Sequence, residues 1–303
     1  MCYPPEWEDT SNMAHRHGAR SAAWPLLGFI ALVAHPAAAI DRFSAPTGAL
    51  GANLSFNAEE RFRAHAEMSY FTQGGPTATH ALGWAFGAGL KVAPTVEIEV
   101  GLPVAGLVVS GAASGDQWGV GNLSIGANFF SPIDDQLRLK VGGAVAFGPW
   151  NQSNAAVTAE GLASLASGLA TNGYQDLWLY WPGSVHIVVP ARLEFGDDVQ
   201  FTADGSFDLA IPTLNADTEL FVTLAPGVAV WATPKFALGA RMPVQFVTGS
   251  DAAQLTLEPF LRLNLGDKAF LSTRFTMHLD DNLGFSFDTG GLWGLHLAAG
   301  GSF

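Results

Sequence analysis

The twelve residues LWGLHLAAGGSF, at positions 292–303, decide the fold of this chain, because larger apolar side chains alternate in them with small or polar ones. On a strand, side chains two positions apart lie on the same face. If Trp293 faces one side and His296 the other, the segment therefore has a lipid face and an interior face. A tilted strand of this length crosses a bilayer. Phe303 is then expected at the membrane interface. The machinery that assembles outer-membrane barrels is expected to bind this last strand.

The same alternation recurs along the rest of the chain. It is clearest in residues 61–71, where Phe62, Met68 and Tyr70 share one side and Arg63 and Glu67 the other. The runs are about ten to thirteen residues long, whereas strands of soluble domains average about five or six. Twelve strands are predicted, at residues 61–71, 80–91, 95–104, 119–130, 137–148, 184–195, 199–211, 219–231, 236–247, 254–265, 270–280 and 292–303.

Short and long connections alternate between these strands. The short ones are rich in Gly, Pro and Asp, and lie at 92–94, 131–136, 196–198, 232–235 and 266–269. The longer ones lie at 72–79, 105–118, 149–183, 212–218, 248–253 and 281–291. Short periplasmic turns and longer extracellular loops are typical of outer-membrane barrels. Because an open sheet edge in hydrocarbon would leave backbone groups unpaired, we predict an all-β fold, a closed transmembrane up-and-down antiparallel barrel of about twelve strands.

The first part of the chain is predicted to be removed. Residues 1–39 have a basic region, an apolar region and a small-residue cleavage site, as a signal peptide does; the alternative is an uncleaved anchor. Translation is expected to start at Met13, since acidic residues precede the basic region. Residues 40–60 remain open between a periplasmic lead-in, a partial plug and an additional strand, and 61–303 form the barrel. The loop at 149–183 has leucines at helical spacing and is either an inward constriction or an outer cap.

Composition narrows the class of protein. Hydrophobic residues make up 49 % of the chain, yet no run of eighteen apolar residues follows the leader, so the apolarity is distributed at period two. The only cysteine, Cys2, lies in the leader, which excludes disulfide and thiolate chemistry from the mature chain. A net charge of −13 argues against nucleic acid as a partner. The expected location is the bacterial outer membrane, with its lipids as partners and no cofactor.

Aromatic residues gather where the predicted strands meet their connections, as in the belts at membrane interfaces. The alternative is the aromatic core of a soluble sandwich, whose members need not lie at strand ends. The predicted periplasmic belt comprises Phe129, Phe130, Phe195, Phe201, Trp231, Phe236, Phe270 and Phe303. The predicted outer belt comprises Tyr70, Phe147, Trp150, Trp178, Trp181, Phe246 and Trp293.

The interior face is predicted to be polar, because a charge on the lipid face costs about 2–4 kcal/mol near the midplane. The charged candidates for lining the lumen are Arg63, His65, Glu67, Glu97, Glu99, Arg138, Lys140, His186, Arg192, Asp204, Asp208, Arg241, Glu258, Arg262, Arg274 and His278. The same parity places Lys91, Asn122, Asn128, Glu194, Gln200, Gln245 and His296 inside.

Two interpretations of this interior remain open. One is a watered pathway that selects solutes by the placement of charge. The other is a lattice of ion pairs, such as Glu258 and Arg262 beside Arg274, that fills the barrel. Eight-stranded barrels are filled by side chains and sixteen-stranded ones hold an aqueous channel, so a count of twelve strands does not decide between the two interpretations. The inward stripe of Gly83, Gly87 and Gly89 favours a narrow passage.

Catalytic and metal chemistry have little support in the sequence. A lipid hydrolase needs a Ser nucleophile, a His within hydrogen-bond reach and an orienting group. The sequence does not show that arrangement, and His65, His186, His278 and His296 are predicted inward, away from lipid. No HExxH or CxxC spacing occurs, so no dedicated zinc site is expected. Asp280, Asp281 and Asp288 are interpreted as an ordinary solvated acidic loop, with a calcium site as the alternative. We predict that the protein is not an enzyme and has no catalytic or metal-binding residues.

One family resemblance is present. EIEVGLPV at 97–104, followed by GVGNLSIGANFF at 119–130, resembles a family of bacterial outer-membrane barrels named for the meta-pathway of phenol degradation. The resemblance implies a channel or transporter for hydrophobic or aromatic compounds. Asn122 stands where that family is expected to have Asp, and no substrate-contact residue carries over. The leading hypothesis is a channel for small solutes; the alternatives are a closed structural or surface-interaction barrel and, third, a lipid hydrolase.

Overall fold

The computed structural model describes residues 61–73, 79–109, 115–133, 137–148, 184–212, 217–248, 253–266, 268–279 and 291–303. These ranges contain strands and no helix, so no described helix is long and apolar enough to cross a membrane. The strands are β1 (Phe62–Gln73), β2 (Thr79–Ala93), β3 (Val96–Val109), β4 (Gly115–Val120), β5 (Leu123–Pro132), β6 (Leu137–Phe147), β7 (Ser184–Gly196), β8 (Val199–Pro212), β9 (Glu219–Thr233), β10 (Phe236–Arg241), β11 (Val244–Val247), β12 (Gln254–Leu265), β13 (Ala269–His278) and β14 (Leu292–Ser302).

The strands form one closed antiparallel sheet. Strands that follow one another along the chain pair, apart from β4 with β5 and β10 with β11, and β1 also pairs with β14, which closes the sheet. β4 and β5 both pair with β3, while β10 and β11 both lie between β9 and β12, so each of these two pairs is one interrupted crossing. The result is the predicted twelve-stranded barrel.

The two interruptions are local. One lies at 242–243, where Pro243 has no N–H to give to a ladder. Its carbonyl still accepts from the Thr256 N–H at 3.0 Å, and the Met242 N–H donates to Pro226 at 2.9 Å. The other lies at 121–122, where the Gly121 N–H donates to the Pro103 carbonyl at 2.9 Å. Pairing therefore continues across both breaks, and each crossing remains continuous.

Short and long connections separate to opposite rims, as predicted. The short links at 94–95, 197–198 and 234–235 share a rim, here called the short-turn rim, with the two ends of the barrel. Those ends meet where the Phe303 N–H donates to the Phe62 carbonyl at 2.7 Å. Gly196 at φ 105° starts one of these turns in a conformation that other residues rarely adopt. The opposite rim, from which the longer connections leave, is here called the long-loop rim.

The two faces of the sheet differ in chemistry. Large apolar side chains such as Phe86, Ile98, Ile187, Val230 and Leu261 are exposed on the outside, while charged and amide side chains alternate with them inside and are buried. This is the parity that a membrane barrel requires, because lipid solvates the outer face and not water. The signal peptide, residues 40–60 and the loop at 149–183 lie outside the described residues.

Three aromatic residues do not lie in the belt that was predicted for them. Phe130, Trp231 and Phe270 are buried on the inner face, because each occupies an inward position in its strand and parity outweighs closeness to a rim. The Trp231 indole donates to Gln200 at 3.4 Å, so a polar group of the interior meets its N–H. Exposed aromatic residues of the predicted belts are Phe129, Phe195, Phe201, Phe303, Phe147 and Phe246; Phe236, Tyr70 and Trp293 are half-buried, and Trp150, Trp178 and Trp181 lie outside the described residues.

Candidate functional site

The enclosed face of the barrel carries the predicted charged residues. Arg138 and Lys140 are half-buried. The buried members of the set are Arg63, His65, Glu67, Glu97, Glu99, His186, Arg192, Asp204, Asp208, Arg241, Glu258, Arg262, Arg274 and His278. Asn122, Asn128, Glu194, Gln200, Gln245 and His296 are also buried, and Lys91 is half-buried. Contacts between them divide the interior into three groups.

The largest group begins on β7 and β8. The Arg192 guanidinium pairs with Asp204, with Nη2 to Oδ2 at 2.8 Å, and with Glu194, with Nη1 to Oε1 at 3.4 Å. Arg241 on β10 reaches the same Asp204 carboxylate at 3.7 Å and pairs with Glu258 through Nε. Charge-assisted contacts of this kind are about twice as strong as neutral hydrogen bonds.

The group continues to β13, β14 and β1. Arg274 Nε lies 3.8 Å from Glu258, and its Nη2 lies 3.1 Å from Glu67 Oε1. His296 Nδ1 also lies 3.1 Å from Glu67 Oε1. The central network, defined as Glu194, Arg192, Asp204, Arg241, Glu258, Arg274, Glu67 and His296, thus joins strands that are not all neighbours.

Small residues on the intervening strands make these longer contacts feasible. On β9, between β8 and β10, Ala225 lies opposite Asp204 and Gly227 lies opposite Arg241; a Cβ at Gly227 would stand 3.0 Å from the Arg241 Cβ. Ala298 on β14 lies opposite Glu67, on the strand between β1 and β13. The small residues therefore set which charges meet across a strand.

A second group lies on β1, β3 and β5 and is here called the β1–β3 cluster. Arg63 pairs with Glu97 through Nε and lies 3.6 Å from Glu99 through Nη2. The amide of Asn128 donates to Glu99 at 2.7 Å. The side chains of Arg63 and Glu97 meet over Gly89 on β2, since a Cβ at Gly89 would stand 2.7 Å from Arg63 Nε and closer still to Glu97.

The sequence suggested that the glycine stripe on β2 leaves room for a narrow passage. The contacts at Gly87 and Gly89 show that the stripe does not do so by itself. The room at Gly89 is taken by the side chains of Arg63 and Glu97. At Gly87, a Cβ would collide with the imidazole ring of His65. The glycines accommodate long polar side chains from the two adjacent strands.

The third group, here called the serine–histidine–aspartate cluster, lies on β7 and β8 near the long-loop rim. Ser184 Oγ is 2.6 Å from His186 Nε2, and His186 Nδ1 is 2.9 Å and 3.1 Å from the two oxygens of Asp208. All three side chains are buried. The structure thus brings together a Ser, a His and an acid, an arrangement that the sequence alone does not show.

The sequence held part of the signal for this cluster. Ser184 and His186 are two apart, so they share a face of β7. The turn at 197–198 sets the register in which Val188 lies opposite Asp208, which places Asp208 diagonal to His186. Alternation alone does not reveal which residues on neighbouring strands meet.

The predicted lattice around Glu258 is partly confirmed. Glu258 contacts Arg274 as expected, but its other guanidinium partner is Arg241. Arg262 Nε donates to Asn264 at 3.1 Å, and its guanidinium carbon lies 4.6 Å from the Phe270 ring centre. Such a stacked position is favourable for a cation over an aromatic face.

The fold is that of outer-membrane channel barrels. An outer membrane channel from Pseudomonas putida F1 is similar with a TM-score of 0.51 at 11 % identity, covering 88 % of this chain and all of the other. The NanC porin matches with a TM-score of 0.47 at 7 % identity, covering 79 % and 99 % of the two chains. The CymD monoaromatic hydrocarbon channel matches with 0.41 at 8 % identity, covering 80 % and 89 %. No family model matches the sequence, and no curated protein does.

Several buried polar atoms have no hydrogen-bond partner in the described part of the chain. They include Gln245 Oε1 and Thr256 Oγ1, which face the interior near the long-loop rim, and Gln200 Nε2 near the other rim. A buried polar group left unsatisfied costs about 1–3 kcal/mol. Within the described ranges, no group of three or more His, Cys, Asp or Glu side chains could hold a metal ion.

Proposed function

We propose that this protein is an outer-membrane channel that passes small solutes through the interior of its barrel. The observation that carries the proposal is the division of the closed sheet into an apolar outer face and an enclosed face of ionisable and amide side chains. A barrel whose interior is packed with apolar side chains would not need ionisable and amide groups there. Gln200, Gln245 and Thr256 support a wet interior, because water satisfies the buried polar atoms that lack protein partners.

Residues 61–303 are the barrel in this proposal, and residues 1–39 are a cleaved signal peptide that exports the chain to the bacterial outer membrane. The exposed apolar side chains contact lipid. The last strand, β14, is the part that the assembly machinery engages, and it ends next to Phe303, which is exposed beside Phe62 with ring centres 6.0 Å apart.

The solutes are small and hydrophobic or aromatic in this proposal. Support comes from the resemblance of residues 97–104 and 119–130 to the phenol-degradation family of barrels. The interior adds a second argument, because acids and bases in the central network and in the β1–β3 cluster are paired with each other. Rings of a single sign select ions strongly, so a paired interior predicts weak ion selectivity.

A closed structural or surface-interaction barrel is the second candidate. The observation that favours it is the filling of the glycine stripe, where Arg63, Glu97 and His65 occupy the room beside Gly87 and Gly89. In that case the ion pairs serve only to stiffen the barrel.

Single-channel recording separates the two candidates. The mature chain is refolded in detergent and its folding is verified by a heat-modifiable gel shift. Discrete, reproducible conductance steps in planar bilayers, with a reversal potential near zero in a salt gradient, are the expected result. Heat-modifiable protein that inserts but stays silent at several voltages would reject the channel and favour the closed barrel.

The solute class needs a separate measurement. Liposomes that contain the protein are compared with empty liposomes for the entry of phenol, toluene and a neutral sugar of similar size. Faster entry of the aromatic compounds alone supports the proposed solutes, and equal acceleration of the sugar contradicts them while leaving the channel intact.

A further inference from the structure

The serine–histidine–aspartate cluster has the connectivity of a nucleophile, a base and an orienting acid. Ser184 Oγ meets one nitrogen of the His186 ring at 2.6 Å, and the carboxylate of Asp208 meets the other at 2.9 Å. With Nδ1 protonated and donating to Asp208, Nε2 of His186 accepts the hydroxyl proton of Ser184. This is the arrangement in which a histidine activates a serine.

The Asp208 carboxylate is committed to this histidine. Among the described residues its hydrogen bonds and ion pair all go to His186, at 2.9 Å and 3.1 Å. The other buried carboxylates differ, since Asp204 and Glu258 each meet two guanidinium groups. An acid that meets only the imidazole orients the ring and stabilises the imidazolium when it forms.

The residues that lie opposite the cluster on the neighbouring strands are apolar. Ala146 and Ala210 lie opposite His186, and Val188 and Phe221 lie opposite Asp208; all four are buried. Low polarity strengthens the interaction of the imidazole with the carboxylate.

Ser184 lies at one end of the barrel. It is the first residue of β7 and lies at the long-loop rim. A molecule that enters the barrel from that rim meets Ser184 before it meets Arg192 and Asp204 of the central network, which lie further along the same two strands.

A second serine and histidine in the same interior lack the connectivity of the serine–histidine–aspartate cluster. Ser69 Oγ lies 2.9 Å from His296 Nδ1, but Glu67 Oε1 lies 3.1 Å from that same nitrogen. The opposite nitrogen of His296 meets the Thr276 hydroxyl at 3.1 Å. Serine and acid thus share one nitrogen, so proton transfer from Ser69 is not coupled through the ring to a carboxylate.

We propose that Ser184, His186 and Asp208 form a hydrolytic site for small, uncharged carboxylic esters inside the barrel. Ser184 Oγ attacks the ester carbonyl carbon while its proton moves to His186 Nε2. The C–O bond of the ester breaks, and the leaving alcohol takes that proton. Water then attacks the acyl group on Ser184, giving one proton to His186, which returns it to Ser184 Oγ as the carboxylic acid leaves. One ester and one water become one acid and one alcohol.

A fluorophosphonate probe tests this proposal on the full mature chain, refolded and verified by its heat-modifiable gel shift. The probe is expected to label the folded protein, and peptide mass spectrometry is expected to map the label to Ser184. Ser184→Ala is expected to abolish labelling. Asp208→Asn is expected to slow labelling and the hydrolysis of 4-nitrophenyl acetate by about 100-fold or more, since a neutral partner favours the wrong tautomer of the histidine.

Ser69→Ala is the matched control, because it removes a buried serine that also contacts a histidine. Labelling equal to the parent protein is expected for this variant. Absence of label on the folded parent protein overturns the proposal, as does label that persists in Ser184→Ala. Equal labelling rates for Asp208→Asn and the parent would also overturn it, since a serine that reacts without its acid is not part of such a site. None of these results depends on whether the barrel conducts.

Discussion

The hairpin of β7 and β8 carries two different sites on one face. Towards the short-turn rim, Asp204 meets two guanidinium groups and belongs to a network that crosses several strands. Towards the long-loop rim, Asp208 meets His186 alone among the residues that the structure describes, and the residues opposite the two are apolar. Equal residue types four positions apart on one strand therefore have different surroundings. The first carboxylate holds strands together, whereas the second leaves a histidine and a serine available for chemistry.

The two aspartates provide the largest expected difference. Asp204→Asn leaves Arg192 and Arg241 without their shared carboxylate, and breaking a buried ion pair costs about 3–5 kcal/mol. We expect the lower part of that range, since Arg192 keeps Glu194 and Arg241 keeps Glu258. Asp208→Asn keeps an oxygen that accepts from His186 and is expected to cost about 1 kcal/mol.

Urea unfolding of both variants in lipid vesicles, followed by tryptophan fluorescence, measures the difference. The isosteric change at two positions of one strand controls for strand propensity and side-chain volume. Equal losses of unfolding free energy would show that the two carboxylates are held alike and would remove the distinction between the two sites.

A smaller effect is expected where the β1–β3 cluster fills the glycine stripe. Gly89→Ala places a Cβ against Glu97 and Arg63, which must move apart, and overpacking of this kind costs about 1–3 kcal/mol. Both clashing atoms are at the ends of flexible side chains, so we expect about 1 kcal/mol. Gly143→Ala is the control, since a Cβ there meets nothing within 4 Å. If Gly89→Ala and Gly143→Ala lowered the free energy of unfolding equally, the contact of Gly89 with the ion pair of Arg63 and Glu97 would be contradicted.

Alternation was sufficient to predict the closed barrel, the twelve crossings and the inward position of the charged residues. The assignment of Phe130, Trp231 and Phe270 to an aromatic belt was wrong, because it relied on their closeness to a strand end although their parity placed them inside. Parity gives the face of a residue and not its partners. Partners depend on the register between strands and on small residues in between, such as Gly227 and Ala298. For this reason the serine–histidine–aspartate cluster and the central network required three-dimensional coordinates.

The variants of Arg262 are expected to change ion selectivity more clearly than stability. It is buried, stacks over Phe270 and donates to Asn264, and it lies in β12 near the short-turn rim. Arg262→Ala removes the cation–π contact, which contributes about 0.5–2 kcal/mol.

If the interior conducts, the loss of one positive charge also shifts the reversal potential in a salt gradient towards cation preference. Arg262→Lys is the control, since it keeps the charge while losing the planar stack, and it should destabilise the protein without that shift. A reversal potential that stays the same in Arg262→Ala would mean that ions do not pass near this side chain, which would leave Arg262 with a structural role alone.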